Sequence, residues 1–162
     1  MAIQNSPVFE RQKIEELYNR YADMVYRLAF ARVKNRYDAD DVLQEVFLRY
    51  LRAKDPPTQP EHQKALLIRI TLNCTKSFFT SAAARHNVAL REDLAEQSQN
   101  GETLDAVLRL PKKYRTVIHL HYYCGYSIEE IAALTENPPS TVKSQLHRAR
   151  EKLRVQLKGE DF

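Results

Sequence analysis

The fold of this chain is decided by residues 127–157, which read SIEEIAALTENPPSTVKSQLHRAREKLRVQL. Ser127, followed three residues later by Glu130, forms a capping box, so a helix is predicted to begin there. The break Asn137-Pro138-Pro139-Ser140 ends that helix and starts a last one, which runs to about Leu157. Two helices joined by so short a break have the proportions of a helix-turn-helix.

The last helix has an apolar arc and an opposite polar face when its residues are placed at 100° intervals. The apolar arc, which must pack on the rest of the domain, contains Val142, Leu146, Ala149 and Leu153. The polar face contains Ser140, Ser144, His147 and Arg148, with Thr141 and Lys143 on its flanks. Such residues early in a recognition helix contact base edges and phosphates. An ordinary solvated helix face is the alternative interpretation.

The regions upstream of residue 127 also alternate between helices and breaks. A helix is predicted from Lys112, just after Leu110-Pro111, to Cys124, and it is expected to stop at Gly125. Another helix begins at Thr103. Residues 87–102 (NVALREDLAEQSQNGE) lack sustained periodicity and are predicted to be a linker.

The N-terminal half contains three predicted helices. They cover about Arg11 to Lys34, Asp38 (a candidate N-cap) to Ala53, and Glu61 to Ala84. Residues 54–60 (KDPPTQP) separate the last two, since three prolines cannot lie inside a helix. The expected fold is therefore all-α, with an N-terminal helical bundle at 1–86, a linker at 87–102 and a C-terminal helix-turn-helix domain at 103–162.

The second helix carries an apolar residue on its polar side. Its predicted core stripe consists of Ala39, Val42, Leu43, Val46, Phe47, Tyr50 and Leu51. Leu48 lies almost opposite this stripe, and the polar residues around it are Asp41, Gln44, Glu45 and Arg52. An isolated exposed leucine is common, but an apolar centre with a polar rim on a rigid helix is typical of a protein–protein contact.

The third helix also has a polar stripe, formed by Arg69, Asn73 and Lys76. On such a stripe the two cations could contact the phosphates of a nucleic acid, and the amide could form hydrogen bonds with a base. The predicted core face of this helix consists of Leu66, Leu67, Ile70, Cys74 and Phe78. A second apolar group, which lies off this core face, consists of Ile68, Leu72 and Phe79. Phe79 either stacks on an unpaired base or fills a second buried side of the helix.

Composition excludes several classes of protein. Three glycines in 162 residues argue against a glycine-rich phosphate loop, and a net charge of +4 is compatible with nucleic acid. Cys74 and Cys124 are expected to be free thiols, and His119 and His121 do not share a helix face as metal ligands would. We expect no cofactor and no metal. The N-terminus lacks an apolar signal core, so we expect a cytoplasmic protein.

Residues 39–47 (ADDVLQEVF) resemble the signature of bacterial sigma factors of the extracytoplasmic-function (ECF) group. Residues 64–73 (KALLIRITLN) resemble the promoter-melting segment of that family. Residues 110–115 (LPKKYR), 126–132 (YSIEEIA) and 141–150 (TVKSQLHRAR) resemble its −35-reading domain. The resemblance covers nearly the whole chain, with the blocks in the family's order.

This resemblance implies a transcription initiation factor and not an enzyme. The implied partners are core RNA polymerase, through its β′ clamp and β flap, promoter DNA and an anti-sigma factor, with no small-molecule substrate and no membrane insertion. The polymerase-binding residues would be Asp41, Gln44, Glu45, Leu48 and Arg52. The −10 element would contact Arg69, Asn73 and Lys76. The −35 element would contact Ser140, Thr141, Lys143, Ser144, Gln145, His147 and Arg148.

The chain departs from the family pattern at three positions. Leu66 stands where the family usually has tryptophan, which implies different local packing. Ser140 replaces a common glycine and Gln145 a common arginine, which implies a different promoter preference. The main alternative is a stand-alone helix-turn-helix regulator, which would leave the pattern around Leu48 unused. A recombinase or transposase would need a catalytic constellation, and none is evident in the sequence.

Overall fold

The computed structural model describes residues 7–82 and 102–158, and all regular elements within these ranges are helices. They are α1 (Pro7–Val33), α2 (Arg36–Arg52), α3 (Pro60–Ala82), α4 (Glu102–Leu108), α5 (Lys112–Ile118), α6 (Ile128–Thr135) and α7 (Pro139–Lys158). The predicted all-α class is confirmed. Residues 87–101 of the predicted linker lie outside the described ranges. We call residues 7–82 the N-terminal unit and residues 102–158 the C-terminal unit.

The turn between α1 and α2 corrects the prediction that Asp38 is an N-cap. Lys34 has φ 59°, a left-handed conformation that ends α1. Asn35 is the cap of α2, and its side-chain oxygen accepts a hydrogen bond from the Asp38 N–H at 3.0 Å. Asp38 is buried one turn inside the helix. Asn and Asp are both good caps, so sequence alone could not choose between residues three positions apart.

The N-terminal unit packs α1, α2 and α3 around a shared apolar core. Val25, Ala29, Val46 and Leu67 are fully buried in it. The members of the predicted core stripe on α2 are buried from Ala39 to Tyr50. The prediction was wrong for the last member, Leu51, which is exposed. Ile14 and Tyr18 near the start of α1 are only partly covered, at 39% and 43% exposed, and the Tyr18 ring lies 5.0 Å from the Phe47 ring of α2.

The C-terminal unit encloses a second core, with the helix-turn-helix at its outer end. Leu120, Ile131, Val142 and Leu146 are almost completely buried there. The predicted capping box is present: the Ser127 hydroxyl accepts from Glu130 N at 3.1 Å, and the Glu130 carboxylate accepts from Ser127 N at 3.2 Å. Glu136, with φ 56°, ends α6 and turns the chain toward α7.

The helix predicted for residues 112–124 is not a single α-helix. After Ile118 the backbone widens into a π-helical turn, His119–Tyr123, which Cys124 N closes by donating to His119 O at 3.0 Å. Gly125 follows with φ 80°, a conformation that glycine adopts without strain. π-helical turns are rare within α-helices and often lie at functional positions.

The two units pack against each other where α1 meets α5 and the π-helical turn, and where α3 meets α6. Ile68 and Leu72, predicted to lie off the main core of the third helix, are 0% and 5% exposed. Together with Leu28 they belong to the same apolar cluster as the core of the C-terminal unit. α3 therefore has two buried sides, one toward α1 and α2 and one toward the C-terminal unit. The side chains of Phe78 and Phe79 lie outside the described part of the chain.

The capping box predicts the effect of removing the Ser127 hydroxyl. Ser127→Ala leaves the Glu130 N–H without its partner at the start of α6, and it should lower the free energy of unfolding by about 1 kcal/mol. Urea denaturation followed by circular dichroism measures the change. Ser144→Ala, at an exposed position inside α7, is the matched control and should not lower the free energy of unfolding, because alanine is the better helix former. Equal effects of the two substitutions would contradict the role of the cap.

Burial of His119 predicts a dependence of stability on pH. Desolvation, helped by the charge of Arg27, lowers the pKa of His119 from 6.5 to about 4. Between these values the unfolded chain binds a proton that the folded chain does not. Stability is therefore full above pH 6.5 and falls as the pH drops toward 4, by at most about 1.4 kcal/mol per unit.

The measurement is the pH dependence of the free energy of unfolding in His119→Gln. We expect this variant to lose less stability than the wild type on acidification from pH 6.5 to pH 4.5. The exposed His147 provides the control, because His147→Gln should keep the wild-type slope. If the slope of His119→Gln were also that of the wild type, His119 would not titrate with a lowered pKa.

Candidate functional site

The outer face of α2 places Leu48 in solvent with polar residues around it. Leu48 is 47% exposed, while the preceding residue, Phe47, belongs to the core stripe and is buried. Asp41, Gln44 and Arg52 are exposed, and Glu45 is half-buried. Glu45 accepts from the Arg49 guanidinium at 2.9 Å, which holds one carboxylate of the rim in place. We call Asp41, Gln44, Glu45, Leu48 and Arg52 the α2 docking face.

Leu51 adds to the apolar centre of this face. Assigned to the core stripe from the sequence, it is in fact 48% exposed. It lies about 110° from the centre of the buried stripe and one turn beyond Leu48, so the helix geometry brings the two leucines together. The angle alone could have revealed this, because Leu51 is the member of the predicted stripe farthest from its centre.

The predicted polar stripe on α3 is also solvent-exposed. Arg69, Asn73 and Lys76 are spaced at four and three residues, so they lie along one side of the helix. We call these three residues the α3 polar stripe. The buried residues Ile68 and Leu72 flank it and pack on the C-terminal unit. The orientation of the stripe is thus fixed by the contact between the two units.

The α3 polar stripe forms one wall of a groove of about 110 Å³ between the two units. The other wall consists of the helix-turn-helix turn and parts of α5 and α7, including Lys113, Asn137 and Gln145. Arg32, Arg69, Lys76 and Lys113 contribute four cations to the described lining, and Glu136 contributes a carboxylate. The groove is therefore electropositive and suited to phosphate groups.

Two buried arginines lie at the contact between the units, and one of them, Arg32, also lines the groove. Burial, with a contribution from the charge of Arg115, lowers the pKa of Arg32 to about 10, and burial alone lowers that of Arg115 to about 10. Both remain charged at neutral pH. The pKa of Lys112 is lowered by burial and by the charges of Arg32, Arg115 and Lys76. The contact between the units thus concentrates positive charge, a feature that the sequence analysis missed.

The loop between α2 and α3 is held close to the N-terminal unit. Gln63 Nε2 donates to Pro57 O at 3.2 Å, and the Tyr21 hydroxyl donates to Pro60 O at 2.9 Å. Asp55 adopts φ 49°, which makes the turn after α2 tight. These contacts fix the proline-rich segment beside the start of the helix that carries the α3 polar stripe.

Helix α7 presents most of its predicted reading face to solvent. We use the name α7 reading face for Ser140, Thr141, Lys143, Ser144, Gln145, His147 and Arg148. Thr141 and Gln145 are half-buried, and the other five are exposed. Gln145 differs in environment: its Oε1 is buried, finds no hydrogen-bond partner among the described residues, and lines the groove opposite the α3 polar stripe.

Arg150 lies at the edge of α7 and was not predicted as a functional residue. Its Nε donates to the Tyr122 hydroxyl at 2.6 Å, and its guanidinium lies 5.6 Å from the centre of the Tyr122 ring. An exposed arginine held in this way needs less ordering to contact a phosphate. The pairing depends on the π-helical turn that carries Tyr122, which the sequence pattern did not indicate.

The chain matches two family models, Sigma-70 region 2 over residues 17–85 and Sigma-70 region 4 over residues 101–153. The RNA polymerase sigma factor SigV of Bacillus subtilis (strain 168) is 30% identical, and the match covers 85% of this chain and 86% of SigV. The ECF RNA polymerase sigma factor SigW of the same organism is 28% identical, with 92% and 91% covered.

The fold has a counterpart in the sigma factor RpoE, solved with the anti-sigma factor NepR from Bartonella quintana. The TM-score is 0.69 at 20% identity, and the match covers 91% of this chain and 98% of RpoE. Over the part of this chain that the structure describes, no helix is apolar over a length that could cross a membrane. With both sigma regions matched in order, the chain belongs to the sigma-70 family of RNA polymerase sigma factors, in its ECF group.

Proposed function

We propose that this sigma factor binds core RNA polymerase through the α2 docking face and reads promoters through the α3 polar stripe and the α7 reading face. Residues 1–86 would bind the polymerase and the −10 element, and residues 103–162 would bind the −35 element. Residues 87–102 would be the linker between these two domains. The observation that carries the proposal is Leu48, which is exposed at the centre of a polar rim on a helix whose opposite side is fully packed.

The α2 docking face has the composition of a protein–protein contact. Leu48 and Leu51 would be desolvated at its centre, while Asp41, Gln44 and Arg52 would form hydrogen bonds and ion pairs at the rim. The rigid packing of α2 against α1 and α3 preorganises the face, so little side-chain order would be lost on binding. By family resemblance its partner is the β′ clamp of the polymerase, and the C-terminal unit would bind the β flap.

The α3 polar stripe is the proposed contact of the N-terminal unit with the −10 element. Arg69 and Lys76 would neutralise phosphates of the melted strand, and Asn73 would hydrogen-bond a base. By family resemblance, the loop of residues 53–62, which precedes and enters this helix, would capture an extruded base.

The α7 reading face is the proposed contact with the −35 element. Buried Val142, Leu146 and Ala149 anchor the helix and leave its opposite side for the major groove. Lys143 and Arg148 carry charge toward phosphates or guanine edges, and the serine hydroxyls add hydrogen bonds. Arg150, held by Tyr122, would add a phosphate contact at the edge of the helix.

The protein itself would make and break no bond, because the polymerase supplies the chemistry of transcription. Two weak DNA contacts become strong when the polymerase holds both in register, since the second then forms at a high effective concentration. We also propose a cytoplasmic protein that is controlled by an anti-sigma factor, as RpoE was solved with the anti-sigma factor NepR.

The first test is capture of core RNA polymerase by the wild type and by Leu48→Asp. A carboxylate at the centre of a desolvated contact should weaken binding by about 2 kcal/mol or more, which is roughly a 30-fold increase in Kd. Val8→Asp is the matched control, because Val8 is an exposed apolar residue on α1 outside the surfaces proposed to bind polymerase. Circular dichroism should show that both variants are folded.

Three outcomes of this capture experiment are informative. Loss of capture in Leu48→Asp with normal capture in Val8→Asp supports the α2 docking face. Capture by all three proteins would contradict that face while leaving the sigma function standing. Failure of the wild type to bind polymerase, together with unaided binding to specific DNA, would favour a stand-alone helix-turn-helix regulator.

The α7 reading face predicts a salt dependence. A promoter is first selected from a random-sequence library with the wild-type holoenzyme. Lys143→Ala should then weaken binding of the holoenzyme to that promoter and lower the slope of log K against log salt by about one. Arg11→Ala, at an exposed arginine paired with Glu15 on α1, is the control and should leave the slope unchanged. An unchanged slope in Lys143→Ala would remove Lys143 from the phosphate contacts.

A further inference from the structure

The groove of about 110 Å³ beside the α3 polar stripe is lined by cations from three helices. Arg32 comes from α1, Arg69 and Lys76 come from α3, and Lys113 comes from α5. Arg69 and Lys76 belong to the proposed contact with the −10 element, whereas Arg32 and Lys113 belong to no proposed DNA contact. The groove therefore gathers more positive charge than the proposed function uses.

The cations of the groove lack the carboxylate partners that other cations of this molecule have. Four exposed arginines elsewhere each pair with a carboxylate three or four positions away on the same helix: Arg11, Arg27, Arg49 and Arg154. Within residues 7–82 and 102–158, no carboxylate forms an ion pair with the four groove cations. Their charge is therefore left for a ligand to neutralise.

Two residues that line the groove hold donors without an acceptor among the described residues. Arg32 is only 6% exposed; its Nε donates to Thr75 Oγ1 at 2.7 Å and its Nη1 to Thr116 Oγ1 at 2.9 Å. Its third nitrogen, Nη2, donates to none of the described residues. The Nε2 of Gln145 likewise has no described acceptor, while the Oε1 of that amide is buried. Donors in such a place gain free energy when a ligand supplies the acceptor.

A lining of cations and donors matches the chemistry of a phosphate group. Its oxygens carry the negative charge and accept several charge-assisted hydrogen bonds at once. The volume of the groove is that of about four water molecules at about 30 Å³ each, which one phosphate group would fill. A second phosphate would then extend toward the exposed cations Arg69, Lys76 and Lys113. The described lining contains no aromatic ring on which a base could stack.

We propose that this groove is a binding site for the pyrophosphate group of a small molecule, either free pyrophosphate or the end of a nucleoside diphosphate. Arg32 and Gln145 hold the enclosed phosphate, and the exposed cations of the lining bind the second one. Glu136 opposes binding, because its carboxylate is the acid of the described lining and repels the ligand. The site recognises charge and oxygen atoms, with no contribution from a stacked base.

The experiment is calorimetric titration of the full chain with inorganic pyrophosphate, at constant ionic strength and without metal ions. We expect saturable binding at one site, about tenfold tighter than the binding of inorganic phosphate, because pyrophosphate meets more of the cations. Titration with ADP distinguishes the two sources of the ligand. Similar affinities of ADP and pyrophosphate would identify a site that accepts nucleotides, while binding of pyrophosphate alone would identify a site for the free anion.

Two variants with opposite expected effects test the site. Lys113→Met removes an exposed cation of the lining and should raise the Kd for pyrophosphate by about tenfold. Its matched control is Lys54→Met, which removes the same charge from the loop after α2.

Glu136→Gln removes the carboxylate of the lining and should lower the Kd by roughly threefold. Its matched control is Glu16→Gln, at an exposed position on α1. A gain of affinity in Glu136→Gln is an effect that misfolding cannot produce, and circular dichroism checks that all four variants are folded.

The outcomes separate a built site from general attraction between a basic protein and an anion. Weaker binding in Lys113→Met and tighter binding in Glu136→Gln, with both controls unchanged, would support the site. Equal changes in each variant and its control would overturn it, and so would the absence of saturable binding by the wild type. The titration contains neither polymerase nor DNA, so its result is independent of the capture experiment that tests the proposed function.

Discussion

The arrangement of this molecule depends on how the C-terminal end of α1 is satisfied. A helix of 27 residues ends at Lys34 with carbonyls that need donors, and Arg115 from the other unit supplies two of them. A buried guanidinium is tolerated there because its donors meet carbonyl oxygens at the negative end of a helix dipole. That contact sets α5 against α1, and α5 in turn sets the position of the whole helix-turn-helix.

The same contact determines what α3 can display. With one side buried against α1 and α2 and another against the C-terminal unit, the helix keeps a single narrow polar stripe in solvent. Arg69, Asn73 and Lys76 are exposed because every apolar position beside them is already used in packing. The surface proposed for DNA is thus what remains after two cores have been completed. Its charge is reinforced by Arg32 and Lys113 across the groove.

Local patterns in the sequence were enough to predict the helices, the Ser127 capping box and the exposure of Leu48. Each of these depends on residues within one or two turns of one another. The contact between the units could not be predicted in that way. The second apolar side of α3 at Ile68 and Leu72 does not show which element covers it, and Arg115 is of a type rarely buried. The N-cap was assigned to Asp38 instead of Asn35 because both residue types suit the position. Leu51 was assigned to the core because it lies at the edge of the stripe.

The contact between the two units combines favourable and opposing terms. Burial of Leu28, Ile68 and Leu72 favours it, while the converging charges of Arg32, Arg115 and Lys112 oppose it. The side chain of Gln145 leaves one buried oxygen without a partner among the described residues, which is a further cost of the contact. The hydrogen bonds that the two arginines donate across the contact offset this repulsion, because each guanidinium meets carbonyl or hydroxyl oxygens of the other unit. The relative position of the units therefore depends on the geometry of these hydrogen bonds as well as on apolar burial.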